Sequence, residues 1–250
     1  MPFRAAVASL AALALALSAC GKSTDSATGA PAASSTPIAK VAAPAGQNWA
    51  EKVTVTPEGG YLMGNPEAAI KLVEYGALSC SHCAEFAETS FSKLRDDYVA
   101  SGRVSYELRL FMLNALDLPA AMLATCGTPE SVIPLSEQFW GWQATMFSNL
   151  QAAGDAKLQA AGNLPPNQRF AAIADLSGMT PFFAERGIAA DQGAACLADA
   201  AKATALSEAT QKASAEKNVT GTPWFFINGS DIGTQTWATL EPMLQNAGAR

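Results

Sequence analysis

The chain has 250 residues, 49% of them hydrophobic and only 15% charged, with five cysteines, one histidine and a formal net charge of −6. That is enough chain for a packed core in one domain or slightly more. The acidic balance argues against nucleic acid or an anionic membrane surface as partner, because phosphate binding needs clustered Lys and Arg. A single histidine, His82, excludes a histidine-rich metal site and any histidine triad not built on that residue. Chemistry is therefore to be sought at the cysteines, and their compartment decides how they are read.

The N-terminus carries Arg4 and then an apolar run from Ala5 to Ala19. As a helix that run would be about 22 Å long, short of the ~30 Å hydrocarbon core of a bilayer. A basic start followed by a short apolar run predicts a secretion signal over residues 1–19. The run ends Leu17-Ser18-Ala19-Cys20-Gly21, which resembles the lipobox of bacterial lipoproteins. The resemblance implies that Cys20 carries a diacylglyceryl group and begins the mature chain. From Gly21 to Asn48 the residues are mainly Ser, Thr, Ala, Pro and Gly without apolar periodicity, so residues 20–48 are expected to be a lipidated cysteine and flexible tether. Residues 49–250 then form the folded domain. Its four cysteines are an even number in a compartment that permits disulfides.

In chain order, the alternation in Val53-Thr54-Val55-Thr56 predicts an edge strand, and Pro57-Glu58-Gly59-Gly60 a turn. Gly64-Asn65-Pro66 is a second turn. Ala69 to Tyr75 reads as a mostly buried strand ending at Gly76. A helix is expected from near Cys80 to a stop at Gly102, followed by an inner strand within Arg103 to Leu113. Residues 114–219 are Ala-rich and helically periodic, with a start signal at Thr180-Pro181 and breaks at Gly127, Gly154, Gly162 and Gly178. Strand chemistry returns in Trp224-Phe225-Phe226-Ile227, followed by the hairpin dipeptide Asn228-Gly229 and a short strand around Asp231 to Gly233. A last helix starts near Thr236. There is no internal repeat.

Cys80-Ser81-His82-Cys83 falls where the inner strand hands over to the first long helix. The free N–H groups and dipole of a helix start stabilise a thiolate at Cys80. Cys83 lies one turn on, close enough to form and break a disulfide with it. Structural zinc would need a second ligand pair, and Cys126 and Cys196 are isolated in sequence. Haem attachment would need histidine directly after the second cysteine, where the chain has Ala84. A cysteine hydrolase needs a base facing its nucleophile, and two positions along a helix His82 does not face Cys80. A static disulfide is the plain alternative, less suited to a strand-end and helix-start setting. His82 is read as a tuner that favours the reduced state, and Glu85 and Glu88 as weak opposition.

The chain also carries Gly64-Asn65-Pro66, Val73-Glu74-Tyr75 and Gly221-Thr222-Pro223-Trp224-Phe225-Phe226-Ile227-Asn228-Gly229, in order around the CxxC and the helical block. Together these resemble the DsbA-like branch of the thioredoxin superfamily over about Gly64 to Gly248. The resemblance implies an α/β thioredoxin fold with a helical insertion domain between the two halves of the sheet, about residues 114–219. It implies that Pro223 is a cis-proline facing the CxxC, leaving the Thr222 backbone free to pair with an extended client chain. It implies that Glu74 lies beneath the active site and exchanges a proton with Cys83, and that Cys126 and Cys196 form a structural disulfide.

The activity implied is a thiol:disulfide oxidoreductase with catalytic Cys80, Cys83, His82 and Glu74. It needs no cofactor or metal, and is a monomer at the periplasmic face of a bacterial membrane. Its partners would be unfolded or reduced secreted proteins and a membrane redox protein, with Ala77, Leu78 and Trp224 expected to offer an apolar docking surface. Ser81 stands where strongly oxidising members carry proline, so a reductase or isomerase remains open. A copper or thiol delivery module using Cys80 and Cys83 as soft ligands is the other alternative.

Overall fold

The computed structural model describes residues 36–250, so the expected signal peptide, Cys20 with its lipid and the first part of the tether lie outside the described residues. The strands are β1 (Val53–Val55), β2 (Tyr61–Gly64), β3 (Ile70–Gly76), β4 (Val104–Leu110), β5 (Trp224–Ile227) and β6 (Ser230–Gly233). They form one sheet in the order β1-β2-β4-β3-β5-β6. Only β3 and β4 run parallel, and helix α1 (Ser81–Lys93) makes the crossover between them. The helical block holds α2 (Asp117–Ala124), α3 (Pro129–Ala153), α4 (Asp155–Gly162), α5 (Pro166–Ser177), α6 (Met179–Ala184), α7 (Ala190–Ala198) and α8 (Ala200–Lys217). Helix α9 (Trp237–Asn246) closes the chain. This is a thioredoxin fold with a helical insertion between the two halves of its sheet.

Both faces of the sheet are covered, which is why β3 and β4 read as nearly continuous buried runs. Ile70 and Leu72 on β3, Tyr106 and Leu108 on β4, and Phe225 and Ile227 on β5 share one core with Cys83 and Phe86 of α1 and Phe139 and Trp140 of α3. The alternate residues Tyr75 and Phe226 form a smaller cluster with Phe111, Ala213 of α8 and Val219. Period-two alternation thus divides each strand between two cores.

Strand β2, a segment the sequence reading left unassigned, is a strand through its register on β4, with Met63 opposite Tyr106. Two further elements differ from that reading. The first helix continues past Lys93 only as a wider, π-type turn over Leu94–Val99 before Gly102, at φ +72°, reverses the chain. Helix α6 begins at Met179, before the expected Thr180-Pro181 start, because Gly178 takes the left-handed conformation (φ +78°) that ends α5 and caps α6.

The end of the expected tether packs on the domain instead of leaving it. The Ile38 N–H donates to the Gly248 carbonyl at 2.9 Å, and the Val41 N–H to the Ser101 carbonyl at 3.0 Å. The Trp49 indole N–H donates to the Val41 carbonyl at 2.8 Å. Glycine at 102 permits this approach, since a Cβ there would strike the Val41 carbonyl and the Trp49 ring.

Cys126, just past the end of α2, and Cys196 within α7 are joined by a disulfide at a Cα–Cα distance of 6.0 Å, closing a sequence separation of 70. Loop closure over that span is worth about 2–4 kcal/mol. A Cys126→Ser/Cys196→Ser double variant should lose that much unfolding free energy in guanidinium titrations. An unchanged midpoint would show that the bond does not brace the insertion.

Candidate active site

Strand β3 ends at Gly76 and the chain turns through residues 77–80 into α1. Cys80 is the N-cap, with extended dihedrals (φ −80°, ψ 119°), and its sulfur accepts the Cys83 N–H at 3.4 Å. A sulfur thus occupies the place usually taken by the oxygen of Ser or Asp. Antiparallel pairing of β5 on β3, with Trp224 opposite Tyr75, carries the preceding residues over this turn. The Thr222–Pro223 bond is cis. The Cys80 thiol donates to the Thr222 carbonyl at 3.2 Å.

Cys80 and Cys83 are both unbridged, and their surroundings differ sharply. The Cys80 thiol is pulled from its ordinary value of 9.0 down to about 5, first by a hydrogen bond from the Cys83 thiol. Burial opposes this, while the Thr222 hydroxyl and the Cys83 and His82 N–H groups add to it. The Thr222 hydroxyl is buried and has no hydrogen-bond partner beside the neutral thiol, so it is a donor held ready for the thiolate. Cys83 is fully buried, and desolvation pushes its thiol far upward, reinforced by its bond to Cys80 and the charge of Glu74.

Beneath this pair, Glu74 of β3 is 1% exposed and receives the Tyr106 hydroxyl on Oε2 at 2.7 Å. Its Oε1 is buried without a partner. Burial raises the carboxyl from its ordinary 4.5 to about 8; the Tyr106 bond opposes this and the Cys80 charge adds to it. Glu74 is therefore a neutral acid at pH 7, able to give a proton to a nearby thiolate.

The insertion holds the turn that carries Cys80. The Trp140 indole N–H donates to the Ala77 carbonyl at 3.0 Å, and the Gln143 amide to the carbonyls of Leu78 at 2.8 Å and Cys80 at 3.1 Å. Buried Asp117, at the start of α2, accepts the Ser79 N–H at 2.7 Å and its hydroxyl at 3.0 Å, together with the N–H groups of Leu113 and Asn114. Sequence reasoning missed Tyr106, Asp117, Trp140 and Gln143. A polar Gln143 one turn from Trp140 on a largely apolar helix face was the available signal.

His82 is exposed on α1, and its side chain lines a small groove of about 140 Å³ with Phe86, Pro223, Thr234 and Trp237. Ala77 and Leu78, expected at the docking surface, are 0% and 1% exposed. They form the floor of the core behind Cys80, because the turn is folded under α3. Trp224 is half-buried, its indole N–H bonded to Asp231 at 2.9 Å. Cys126 and Cys196 belong to the insertion, and Cys20 lies outside the described residues.

The thioredoxin family model matches residues 56–246, and the chain belongs to that family. A solved protein-disulfide isomerase from Novosphingobium aromaticivorans is 32% identical, with TM-score 0.70, the match covering 74% of this chain and 94% of that one. Wolbachia pipientis alpha-DsbA1, at 21% identity and TM-score 0.62, covers 77% of this chain with 92% of its own and shares the fold. A Rickettsia prowazekii protein provisionally named a protein-disulfide oxidoreductase is 28% identical over 170 residues, 67% of this chain and 54% of its own. The chain thus spans little more than half the length of that curated relative.

Replacing Thr222 by Val removes a donor to a charged sulfur, worth about 1.5–3 kcal/mol. The Cys80 thiolate midpoint, read by absorbance at 240 nm, should rise by about one to two pH units. A midpoint still near 5 would show that the hydroxyl does not reach the thiolate.

Glu74 has the opposite linkage. Its folded value lies above its unfolded one, so the folded protein binds the extra proton, and the stability this gives is full below about 4.5 and lost as pH rises through about 8. Denaturant titrations of the oxidised protein, where Cys80 carries no thiolate, should show stability falling over that window by on the order of a few kcal/mol. Glu74→Gln should flatten the slope. In the reduced protein, the depressed Cys80 adds stability that is full above about 9 and lost as pH falls through about 5.

Proposed function

We propose that this protein is an extracytoplasmic thiol:disulfide oxidoreductase that oxidises client cysteines through Cys80 and Cys83. The observation that carries this reading is the difference between the two sulfurs: Cys80 held as a thiolate near pH 5 at a helix N-cap, Cys83 buried and kept protonated. A stabilised Cys80 thiolate favours the reduced enzyme, which makes its disulfide an electron acceptor. The names of its relatives support the same chemistry.

A client thiolate attacks Cys80 Sγ of the oxidised pair, the Cys80–Cys83 bond breaks, and Cys83 leaves as a thiolate. Burial makes that thiolate costly, and protonated Glu74 gives it a proton. A second client thiolate attacks the client sulfur of the mixed disulfide. The client disulfide departs with two electrons fewer and leaves Cys80 as thiolate. Oxidised enzyme is regenerated by a disulfide or quinone-linked membrane partner. The groove between His82, Phe86, Pro223 and Trp237 is the proposed seat for the client chain next to the reacting sulfur.

The Cys126–Cys196 bridge supports an oxidising compartment. The signal-like stretch over residues 1–19 and Cys20 support secretion and a lipid anchor at the periplasmic face of a membrane, with the domain working as a monomer. The name of the Novosphingobium relative favours a second reading, an isomerase kept reduced by a membrane donor. Metal delivery would need a third soft ligand, and among the described residues no group of three His, Cys, Asp or Glu is arranged to hold a metal ion.

Full-length oxidised protein should convert a reduced, unfolded, disulfide-requiring client to its active form. Cys80→Ala should abolish this, and Cys83→Ala should accumulate an enzyme–client mixed disulfide visible by mass. Undiminished activity in Cys80→Ala would overturn the assignment. A Cys80–Cys83 potential at the reducing end of the thioredoxin range would select the isomerase or reductase reading.

A further inference from the structure

Ala77 and Leu78 lie in the core, so any apolar surface offered to a client beside Cys80 has to come from another element. The sheet topology supplies one. Strands β4 and β5 flank β3 on opposite sides. Strand β4 runs parallel to β3, with Leu110 opposite Gly76 and the Phe111 N–H bonded to the Gly76 carbonyl at 2.9 Å. Residues 111–116 therefore leave the sheet at the end where the Cys80 turn begins. Strand β5 runs the other way, with Trp224 opposite Tyr75, so Thr222 and Pro223 enter at that same end. The turn over residues 77–80 thus stands between two walls, Thr222-Pro223 on the β5 side and the loop of residues 111–116 on the β4 side.

The second wall is clasped to the turn. Asp117 accepts the Ser79 N–H on Oδ1 at 2.7 Å, and the N–H groups of Leu113 and Asn114 on Oδ2 at 2.9 Å and 3.0 Å. One carboxylate therefore spans the gap between Leu113 and Ser79, the chain neighbour of Cys80. The Asn114 amide adds a bond to the Ser79 hydroxyl at 2.7 Å, and the Met112 N–H donates to the Thr210 hydroxyl of α8 at 3.0 Å. The N–H groups of Phe111, Met112, Leu113 and Asn114 are all engaged, which fixes this stretch of backbone. Met112 and Leu116 pack against the main core, whereas Leu113 between them is 44% exposed. A fixed loop thus presents an apolar side chain to solvent beside the reactive sulfur.

We infer that Leu113 is a specificity-determining contact for the client, the apolar part of a second wall that the client chain meets as it crosses Cys80. The inference rests on the oxidoreductase reading of Cys80 and Cys83 and deepens it by naming the client class: an extended, reduced segment with an apolar side chain close to its cysteine. In an extended chain the residues one and two places from the reacting cysteine lie ~3–7 Å along it, the scale of the step from the Cys80 turn to the loop clasped to it. Unfolded chains carry such apolar neighbours in the open, because only folding buries them. Leu113 therefore favours cysteines in unfinished chains over cysteines on a polar, folded surface. The hydrogen bonds of the loop are already made before a client arrives, so little ordering opposes the contact.

The test uses full-length oxidised protein and two reduced peptides that differ only in the residues flanking their cysteine, Leu in one and Gly in the other. Reduction of the protein by each is acid-quenched and read by mass below saturation. The wild type should react faster with the Leu peptide, and Leu113→Ser should cut that preference about fivefold, the effect of losing part of one leucine contact. The thermal midpoint and the Cys80 thiolate midpoint of Leu113→Ser should stay at wild-type values. Val55→Ser removes an exposed apolar side chain on the outer strand β1 and should keep the wild-type preference. Leu113→Glu should shift the choice between Arg-flanked and Glu-flanked peptides toward Arg by about threefold. A wild type without a Leu preference, an unchanged preference in Leu113→Ser, an equal fall in Val55→Ser, or no shift toward Arg in Leu113→Glu would each overturn the assignment. So would a loss in Leu113→Ser that is the same for both peptides, which is the mark of a merely structural role. A wild-type protein inert to both peptides would instead overturn the oxidoreductase reading, and the contact with it.

Discussion

At the start of α1 a sulfur stands where a helix presents its unpaired donors. The first-turn N–H groups of His82 and Cys83, the Cys83 thiol and the Thr222 hydroxyl all favour negative charge on Cys80. One turn further on, the same helix buries Cys83 completely, and a backbone hydrogen bond from Ala77 offsets only part of the loss of water. Two cysteines three residues apart therefore differ in solvation rather than in chemistry. The proposed reaction uses that difference to set which sulfur faces a client and which one leaves, and the other features of the site maintain it.

Maintaining it falls largely to the helical insertion. The turn over residues 77–80 leaves β3 before α1 has begun, so its backbone groups belong to no ladder. Buried groups of that kind need partners. Trp140 and Gln143 of α3 satisfy three of its carbonyls, and Asp117 of α2 takes the Ser79 N–H. The insertion is thus the scaffold of the turn that carries Cys80 as well as a cover over the sheet. It is braced in turn by the Cys126–Cys196 bond between the end of α2 and α7.

A glutamate inside the main core is a conflict with burial that the fold tolerates at the candidate site. Glu74 occupies an inward position of β3, between Leu72 and Gly76, where its neighbours along the strand face are apolar or small. Tyr106 answers one of its oxygens and leaves the other open. Gly76 supplies the room, since a Cβ there would meet Trp140, Leu108 and Glu74 Oε1 within 3.1–3.3 Å. An apolar residue at 74 would suit the core better but could hold no proton beneath Cys83.

Much of this was legible along the chain. Alternation marked β3, β4 and β5, glycines marked the breaks in the helical block, and the CxxC fell at a strand-to-helix boundary because hydrophobic pattern and capping chemistry are local properties. Residues 36–48 were misread and β2 went unassigned, because low apolar content says nothing about docking and a four-residue strand exists only through its partner. Ala77 and Leu78 looked like surface beside a reactive thiol and are core. The sequence by itself singled out Cys80 and Cys83 as the candidate reactive pair and placed the first of them at a helix start, where a thiolate is favoured. Only the tertiary structure decided that Thr222, Glu74, Tyr106, Asp117, Trp140 and Gln143 meet around that pair, since they come from separate strands, turns and helices. Their hydrogen bonds, and the desolvation that sets their charge states, exist only once those elements pack together.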